Sequence, residues 1–261
     1  MDHASVLVTG STQGIGLLSA EILAGEGHVV TLHARNESRA ADGRAALPSA
    51  RGVVVGDLST IAGARRVAEE ANALGRFDAV IHNAGIGPGD GHRVEPAKGL
   101  QAIFAVNVLA PYILTALMSR PRRLVYLTSG MHRSGSPDLS DAQWTKRPWN
   151  GWHAYSESKL FDVVLAFAVA RLWPDVLSNA VEPGWVPTRM GGQGAPDDLH
   201  LGAVTQAWLA TSDEPGATVT GCCFFHQRER DVHPAARDVR VQDELLRYCE
   251  SVSGVTLPRE R

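Results

Sequence analysis

Two side chains of opposite acid–base character stand four residues apart in the segment "WHAYSESK". Tyr155 is a weak acid and Lys159 is a cation, and the apolar run after them predicts a helix on which they share one face. A free tyrosine has a pKa of about 10, too high for proton transfer near neutral pH. A neighbouring ammonium favours the ionised phenol and lowers that pKa. The pair therefore indicates acid–base chemistry, although in isolation an ordinary pair on a helix surface is the commoner explanation.

A glycine-rich turn, "TGSTQGIG", occupies positions 9–16. Gly10 permits a tight exit from a strand, Gly14 lets the backbone approach a phosphate, and Gly16 lets a helix pack against a sheet. The free N–H groups at the start of that helix would face a pyrophosphate. Such a turn often only reverses the chain, but here it joins a predicted strand to a predicted helix, which favours nucleotide binding.

The end of the second predicted strand distinguishes the two nicotinamide cofactors. An acidic residue there would bind the ribose 2′-hydroxyl, whereas an arginine suits a 2′-phosphate. The segment "TLHARNESR" offers Arg35 and Asn36 with no carboxylate before Glu37, and Arg39 is a candidate second positive charge. A guanidinium matches a phosphate well, so we predict NADP(H). The alternative is that Arg35 is a solvated surface residue.

Short apolar segments alternate with helical periodicity along the chain. Strands are predicted at 4–10, 28–35, 51–58, 77–85, 122–130, 176–184 and 218–225. Helices are predicted at 14–27, at 59–75 with Ser59 as N-cap, at 99–119, from the Tyr155 segment onward, and at 241–254. Residues 226–238 are expected to form a surface loop. Continuously apolar strands between helices predict a three-layer, doubly wound parallel α/β fold of Rossmann type, with 1–261 as one domain.

Composition excludes several classes of protein. The formal net charge is −3, so we expect neither nucleic acid nor a charged membrane surface as partner. The three cysteines, Cys222, Cys223 and Cys249, have no metal-site or disulfide spacing, which favours a reducing compartment and no metal. We expect no signal peptide and no membrane-spanning segment, and a cytoplasmic location.

The motifs, taken in order, resemble those of the short-chain dehydrogenase/reductases. They are "TGSTQGIG", "GDLS", "HNAG", "AVNVLAP", "LTSG", "YSESK" and "EPGWVPT". The resemblance implies that the catalytic residues are Asn107, Ser129, Tyr155 and Lys159. It implies that the NADP(H)-binding residues are Gly10, Ser11, Thr12, Gly14, Ile15, Gly16, Arg35, Asn36, Asp57, Leu58, Asn83, Ala84, Gly85, Lys159, Pro183, Gly184, Val186 and Thr188. In this family the "GDLS" pair lies against the adenine ring, the threonine contacts the carboxamide, and the lysine also holds the nicotinamide ribose. The asparagine holds a water that links the lysine to solvent.

Two departures from the family pattern carry information. His82 replaces the first asparagine of the usual Asn-Asn-Ala-Gly motif. The connection between Ser129 and Tyr155, at about 130–152, is long, and it resembles the retinol-dehydrogenase-like and carbonyl-reductase-like branch, whose members take bulky apolar carbonyls or alcohols. Ser134, Ser136 and Ser140 in this connection are alternative catalytic serines. Ser129 is preferred because it closes a strand, and a strand end holds a side chain firmly.

Large side chains and a glycine-rich segment near the predicted site are candidates for substrate binding. Five tryptophans, Trp144, Trp149, Trp152, Trp185 and Trp208, either line an aromatic pocket or pin loops to the body of the protein, and the residues leave both open. The glycine-rich segment at about 186–202 is expected to be a substrate lid. His153, two residues before Tyr155, either faces the site or, as is commoner, is a surface or capping group, and the same holds for His82 and His132. No pair of histidines has metal-ligand spacing with an acidic partner.

The combined prediction is an NADP(H)-dependent oxidoreductase that reduces the carbonyl of a bulky, apolar or polycyclic small molecule. Tyr155 donates the proton and Ser129 binds the substrate oxygen. Two alternatives remain: oxidation of a retinoid- or steroid-like alcohol, and a catalytically silent NADP-binding sensor. Both a homo-oligomer and a monomer are compatible with the sequence.

Overall fold

The computed structural model describes residue 1, residues 3–89 and residues 91–259. Its centre is an eight-stranded sheet with the order β3-β2-β1-β4-β5-β6-β7-β8. The strands are β1 (Ser5–Val8), β2 (Val29–Ala34), β3 (Gly52–Val55), β4 (Ala79–His82), β5 (Arg123–Leu127), β6 (Leu177–Glu182), β7 (Cys223–Phe225) and β8 (Arg228–Glu229). All pairs are parallel except β7 with β8. The strand order reverses direction at β1 and β4, which in such folds is where ligands bind, beyond the carboxyl ends of the strands.

Helices cover both faces of this sheet. They are α1 (Gly14–Gly25), α2 (Glu37–Ala46), α3 (Ile61–Ala73), α4 (Ala102–Phe104), α5 (Ala110–Leu117), α6 (Gly151–Leu172), α7 (Leu199–Thr211) and α8 (Val239–Ser253). A π-helical segment, Ala105–Leu109, joins α4 to α5. One large core lies between the sheet and α3, α5 and α6, and a second lies against α1 and α7. The predicted doubly wound, three-layer fold is confirmed.

Two local predictions were wrong, and one helix was not predicted. The N-cap of α3 is Thr60, whose side chain accepts a hydrogen bond from Gly63 N, while the Ser59 N–H donates to Asp57. The region predicted as a surface loop contains β8 and a 3₁₀ turn at Pro234–Arg237. Helix α2 was not anticipated because its sequence "ESRAADGRAA" is mostly polar and buries only two residues.

The described residues contain no helix long and apolar enough to cross a membrane. The same residues also contain no group of three or more histidine, cysteine or acidic side chains arranged to bind a metal ion.

Candidate active site

The end of β5 and the first turns of α6 hold the predicted acid–base residues together. Lys159 Nζ donates to the Leu127 carbonyl at 2.8 Å, and the Thr128 hydroxyl donates to the Lys159 carbonyl at 2.6 Å. Ser129, the next residue, therefore lies beside the helix that carries Tyr155 and Lys159. Lys159 Nζ is 5.8 Å from the centre of the Tyr155 ring, close enough for the ammonium to influence the phenol. The structure thus brings these three residues to one place.

Lys159 is buried yet charged. Burial acts to lower its pKa, but the Asp162 carboxylate and Tyr155 outweigh burial, and the pKa is raised. Asp162 Oδ2 accepts a hydrogen bond from Nζ at 2.8 Å. Burial raises the pKa of the Asp162 carboxyl to about 7, against the opposing attraction of Lys159. The sequence reasoning did not identify Asp162, because no motif includes it.

Asn107 lies in the π-helical segment between α4 and α5. Its Oδ1 accepts from Ile86 N at 2.8 Å, and its Nδ2 donates to the Ile86 carbonyl at 3.1 Å and to the Ser158 hydroxyl at 2.9 Å. The side chain therefore joins the segment after β4 to α6. Extra residues in a helical turn of this kind are frequent at functional sites because they redirect a side chain.

Ser129 occupies a different environment from the alternative serines. It caps the 3₁₀ turn Gly130–Ser134, where its hydroxyl accepts from Met131 N at 3.3 Å, and it is half-buried at the end of β5. Ser134 and Ser140 are exposed, and the Ser136 hydroxyl accepts from the Asp138 backbone within the loop. Ser129 thus stands at the strand end that anchors Lys159, Ser134 contacts the Ser156 hydroxyl of α6 at 3.4 Å, and Ser136 and Ser140 belong to the connection alone.

The glycine-rich turn has the geometry that a phosphate cradle needs. Gly10 and Gly14 have positive φ angles of 61° and 59°. A Cβ at Gly16 would stand 2.3 Å from Asn83 Nδ2, which donates to the carbonyls of Thr9 and Gly10 at 2.9 and 3.2 Å. A side chain at Gly16 would displace this amide. Ser11, in contrast, is fully buried and bonds β1 to β2 through its hydroxyl.

A buried histidine secures the same turn and was missed by the sequence reasoning. His33 Nδ1 accepts a hydrogen bond from Gly10 N at 2.9 Å, and its Nε2 lies 2.9 Å from the Gly56 carbonyl. Burial lowers the pKa of His33, which keeps the ring neutral, and a neutral ring is the form that accepts at one nitrogen and donates at the other. Its signal in the sequence is only a histidine inside an apolar strand.

A cavity of about 470 Å³ opens beside the turn at the ends of β2 and β3. Its lining includes Arg35, Asn36, Asp57 and Arg66. Arg35 is exposed and has no ion-pair or hydrogen-bonding partner in the part of the chain that the structure describes. Arg39 instead contacts Asp42 and Gln13, each at 3.1 Å. Leu58 is packed in the core next to the cavity.

The remaining predicted cofactor residues lie in three segments, after β1, after β4 and after β6. Ala84 N donates to the Thr9 hydroxyl at 3.0 Å, and an added Cβ at Gly85 would stand 3.5 Å from Lys159 Nζ. Thr188 follows the bend at Pro183 and Gly184 and lies close to Gly14. A Cβ added at Gly14 would stand 3.7 Å from the Thr188 methyl group. Thr12 and Ile15 are half-buried, and Val186 is buried. The turn, the cavity, Gly85 and Thr188 fit a dinucleotide.

The short chain dehydrogenase family model matches residues 4–198. The chain belongs to this family. An uncharacterized oxidoreductase of Emericella nidulans is 44% identical over 257 residues, which cover 97% of this chain and 98% of that relative. Human retinol dehydrogenase 13 is 28% identical over 298 residues, covering 98% of this chain and 86% of that relative. The retinol-dehydrogenase-like resemblance is confirmed.

Solved structures agree with the fold of this short-chain dehydrogenase. A protein of Mycobacterium paratuberculosis has a TM-score of 0.83 at 24% identity, covering 98% of this chain and 96% of that one. The RhlG/NADP active-site complex of Pseudomonas aeruginosa has a TM-score of 0.67 at 24% identity, covering 87% and 97%. These structures show the fold, and the family match makes the chain an oxidoreductase.

The long connection of this dehydrogenase is fastened to the catalytic helix. Glu157, on α6, accepts from both terminal nitrogens of Arg147 at 2.8 and 2.7 Å and from Trp144 Nε1 at 3.0 Å. Arg147 also stacks on the Trp144 ring at 3.6 Å, and Trp149 meets that ring edge-on. Trp144 is 5% exposed, so it pins the connection to the body.

His82, where the family motif has asparagine, lies in a buried polar cluster. It stacks on Tyr126 with a ring separation of 4.7 Å, and its Nε2 contacts the Thr115 hydroxyl at 3.2 Å, which in turn contacts the Tyr126 hydroxyl at 2.8 Å. Burial lowers the pKa of His82 to about 3. The histidine is therefore a neutral packing residue beneath the site.

Proposed function

We propose that this chain is an NADP(H)-dependent carbonyl reductase in which Tyr155 donates the proton to the substrate oxygen. The observation that carries the proposal is the buried, charged Lys159 beside Tyr155, held by the strand end that also presents Ser129. An ammonium that keeps its charge stabilises the phenolate that Tyr155 becomes when it gives up its proton.

The cofactor would be held by the glycine-rich turn at its pyrophosphate and by Lys159 at its nicotinamide ribose. Arg35, which has no ion-pair partner among the described residues, suits a 2′-phosphate and supports NADP(H) over NAD(H). When bound, the reduced nicotinamide supplies the hydride. Pro183, Gly184, Val186 and Thr188 would border the nicotinamide end.

Three side chains of the protein have separate roles in the proposed reduction. Ser129 donates a hydrogen bond to the substrate oxygen and stabilises the negative charge that develops there. Tyr155 gives its proton to that oxygen. Asn107 holds the segment after β4 against α6 and thereby keeps Gly85, which stands next to Lys159 Nζ, in place.

Exposed apolar side chains at the mouth of this site support a bulky apolar substrate. Four of them, which we call the apolar rim, are Ile86, Trp152, Trp185 and Met190, and their exposed fractions are 36%, 61%, 61% and 53%. The segments that carry them touch: a Cβ at Gly87 would stand 3.2 Å from Met190, and one at Gly151 would stand 2.2 Å from the Pro88 carbonyl. Clustered exposed apolar residues are typical of ligand-binding surfaces.

The test is NADPH consumption with α-tetralone and retinaldehyde, compared with NADP⁺ reduction by the corresponding alcohols. We expect turnover with NADPH, and a loss of at least about a hundredfold in kcat for Tyr155→Phe with NADPH binding retained. Tyr248→Phe, at a tyrosine that bonds Gln143 on the far side of the connection, is the matched control and should keep its kcat.

Two results would contradict the proposal. Turnover by Tyr155→Phe within tenfold of the native chain would remove this phenol from proton transfer. Tight NADPH binding without turnover of any carbonyl compound would favour a dinucleotide sensor.

A further inference from the structure

The proton-transfer chemistry proposed above leaves one buried acid unassigned. Asp162 lies three residues after Lys159 on α6, and the two side chains are 3% and 6% exposed. Its carboxylate and the Leu127 carbonyl each accept from Lys159 Nζ at 2.8 Å. Two of the three N–H groups of the ammonium are thus bound by the protein. The third has no acceptor among the described residues, and it lies beside Gly85, where an added Cβ would stand 3.5 Å from Nζ.

A buried ammonium needs such a partner to act on Tyr155. In an apolar surrounding a lysine tends to lose its proton, and a neutral amine has no electrostatic effect on a neighbouring phenol. A paired ammonium with two fixed hydrogen bonds keeps both its charge and its position. An ion pair of this kind adds little to stability by itself, so its presence at a reacting residue calls for a functional explanation.

Other polar groups around the pair do not replace Asp162. Burial raises the pKa of Tyr126 on β5 and lowers that of His82 on β4 to about 3, so both stay neutral near pH 7. Asn107, from the π-helical segment, is uncharged. Among the described residues, Asp162 is the acidic side chain that forms an ion pair with Lys159. Tyr155 also lies near the ammonium, but it is the reacting group.

We propose that Asp162 is a positioning residue that keeps Lys159 charged and fixed beside Tyr155. This inference rests on the proposed function, since it assigns to Tyr155 and Lys159 the proton transfer described above. Asp162 acts through Lys159. Its negative charge also holds back the release of a proton from the Tyr155–Lys159 pair, and so sets the pH at which the pair becomes the base for alcohol oxidation.

Asp162→Asn tests this role because it keeps the shape of the side chain and removes the charge. Removal of an adjacent anion makes the first proton easier to lose from the pair, whichever of the two groups releases it. We therefore expect the rising limb of kcat/KM for α-tetralol oxidation to move to lower pH by about one unit, with a lower plateau. The measurement is a pH profile with NADP⁺ from pH 6 to 10.

The matched control is Asp243→Asn. Asp243 also pairs with a cation of α6, Arg171 at 2.5 Å, but near the end of the helix away from Tyr155. This variant should keep the midpoint of the native chain. A midpoint for Asp162→Asn that is unchanged or moved to higher pH would overturn the proposal, since a merely structural pair would lower stability without moving the limb.

A second readout does not need turnover. In the cofactor-free protein, NMR of lysine labelled at Cε, assigned with Lys159→Arg, should show a lower pKa for Lys159 in Asp162→Asn than in the native chain. An unchanged value would also overturn the proposal. If Tyr155→Phe kept its turnover, the proposed chemistry would fail by that result, whereas the NMR titration would still decide whether Asp162 maintains the Lys159 charge.

Discussion

One guanidinium carries the proposed choice between the two nicotinamide cofactors. Arg35 stands in its cavity without an acidic partner among the described residues, so its charge is available to a phosphate. For Arg35→Asp we expect the ratio of kcat/KM with NADP⁺ to that with NAD⁺ to fall by about a hundredfold, because a charge-assisted contact is replaced by repulsion. Steady-state kinetics with both cofactors measure this ratio.

The control is Arg247→Asp, which makes the same change of charge at an exposed position of α8. It should leave the cofactor ratio as it is. If Arg35→Asp did so too, the phosphate would be bound elsewhere, and Arg66 in the same cavity would be the next residue to change.

His82 couples stability to pH. The folded chain keeps the ring neutral with a pKa of about 3, whereas the unfolded chain binds a proton below its ordinary value of about 6.5. The unfolded state therefore takes up more protons between these pH values, and the free energy of unfolding falls as the pH falls through this window. At pH 5 the loss from this residue is about 2 kcal/mol.

His82→Asn, which restores the family residue, should reduce the loss of unfolding free energy between pH 7.5 and pH 5. Urea unfolding at the two pH values measures the free energy of unfolding. Asparagine loses packing against Tyr126 at both pH values, so this loss drops out of the difference between them. His200→Asn, at an exposed histidine, is the control. An equal pH dependence in the native chain and in His82→Asn would contradict the prediction.

At the level of elements, the approach of α1 to the sheet decides whether the phosphate cradle forms. Gly16→Ala would place a methyl 2.3 Å from Asn83 Nδ2 and 2.7 Å from the Gly10 carbonyl. We expect at least a tenfold weaker NADPH affinity by fluorescence titration and a lower Tm, since the turn must move. Gly25→Ala on the same helix meets nothing within 4 Å and should keep its affinity. Similar NADPH affinities for the two variants would show that the turn can shift to accommodate the methyl group without weakening NADPH binding.

Elements with continuous apolar sequence were the predictable ones. The strands β4 and β5 bury every residue and α6 buries fifteen of its twenty-two, so their apolar sequences indicate the burial directly. The short β8 and the polar α2 carry no such pattern, because pairing with β7 and the Asn36 cap form them. The π-helical turn at Asn107 likewise has no sequence signature, since tertiary contacts produce it.

The candidate site shows the same division. The spacing of Tyr155 and Lys159 predicts a shared helix face, and the resemblance to the family, with the strand end, selects Ser129. Asp162 and His33 do not, because their roles come from contacts with Lys159 and Gly10 that only the folded chain creates. The sequence also left open whether the tryptophans line a pocket. In the structure Trp144 is buried against α6, whereas Trp152 and Trp185 are exposed.

At the scale of the whole molecule, the apolar rim and the reacting groups share the carboxyl edge of the sheet. Trp152→Ala should raise KM for α-tetralone about fivefold while changing KM for propanal little, because only the larger ketone reaches the rim. Steady-state kinetics with both compounds test this. Val29→Ala removes an exposed apolar side chain at the opposite edge, and it is the control. Equal changes for both carbonyls would remove Trp152 from substrate binding.

Strand β8 has a consequence for encounters between molecules at high concentration. It is only two residues long, runs against its neighbour, and carries an arginine and a glutamate that are both exposed. An edge strand this short, with two charged and exposed side chains, offers few backbone groups for another strand to pair with. Crowded or partly purified preparations should therefore not aggregate by adding strands at that margin.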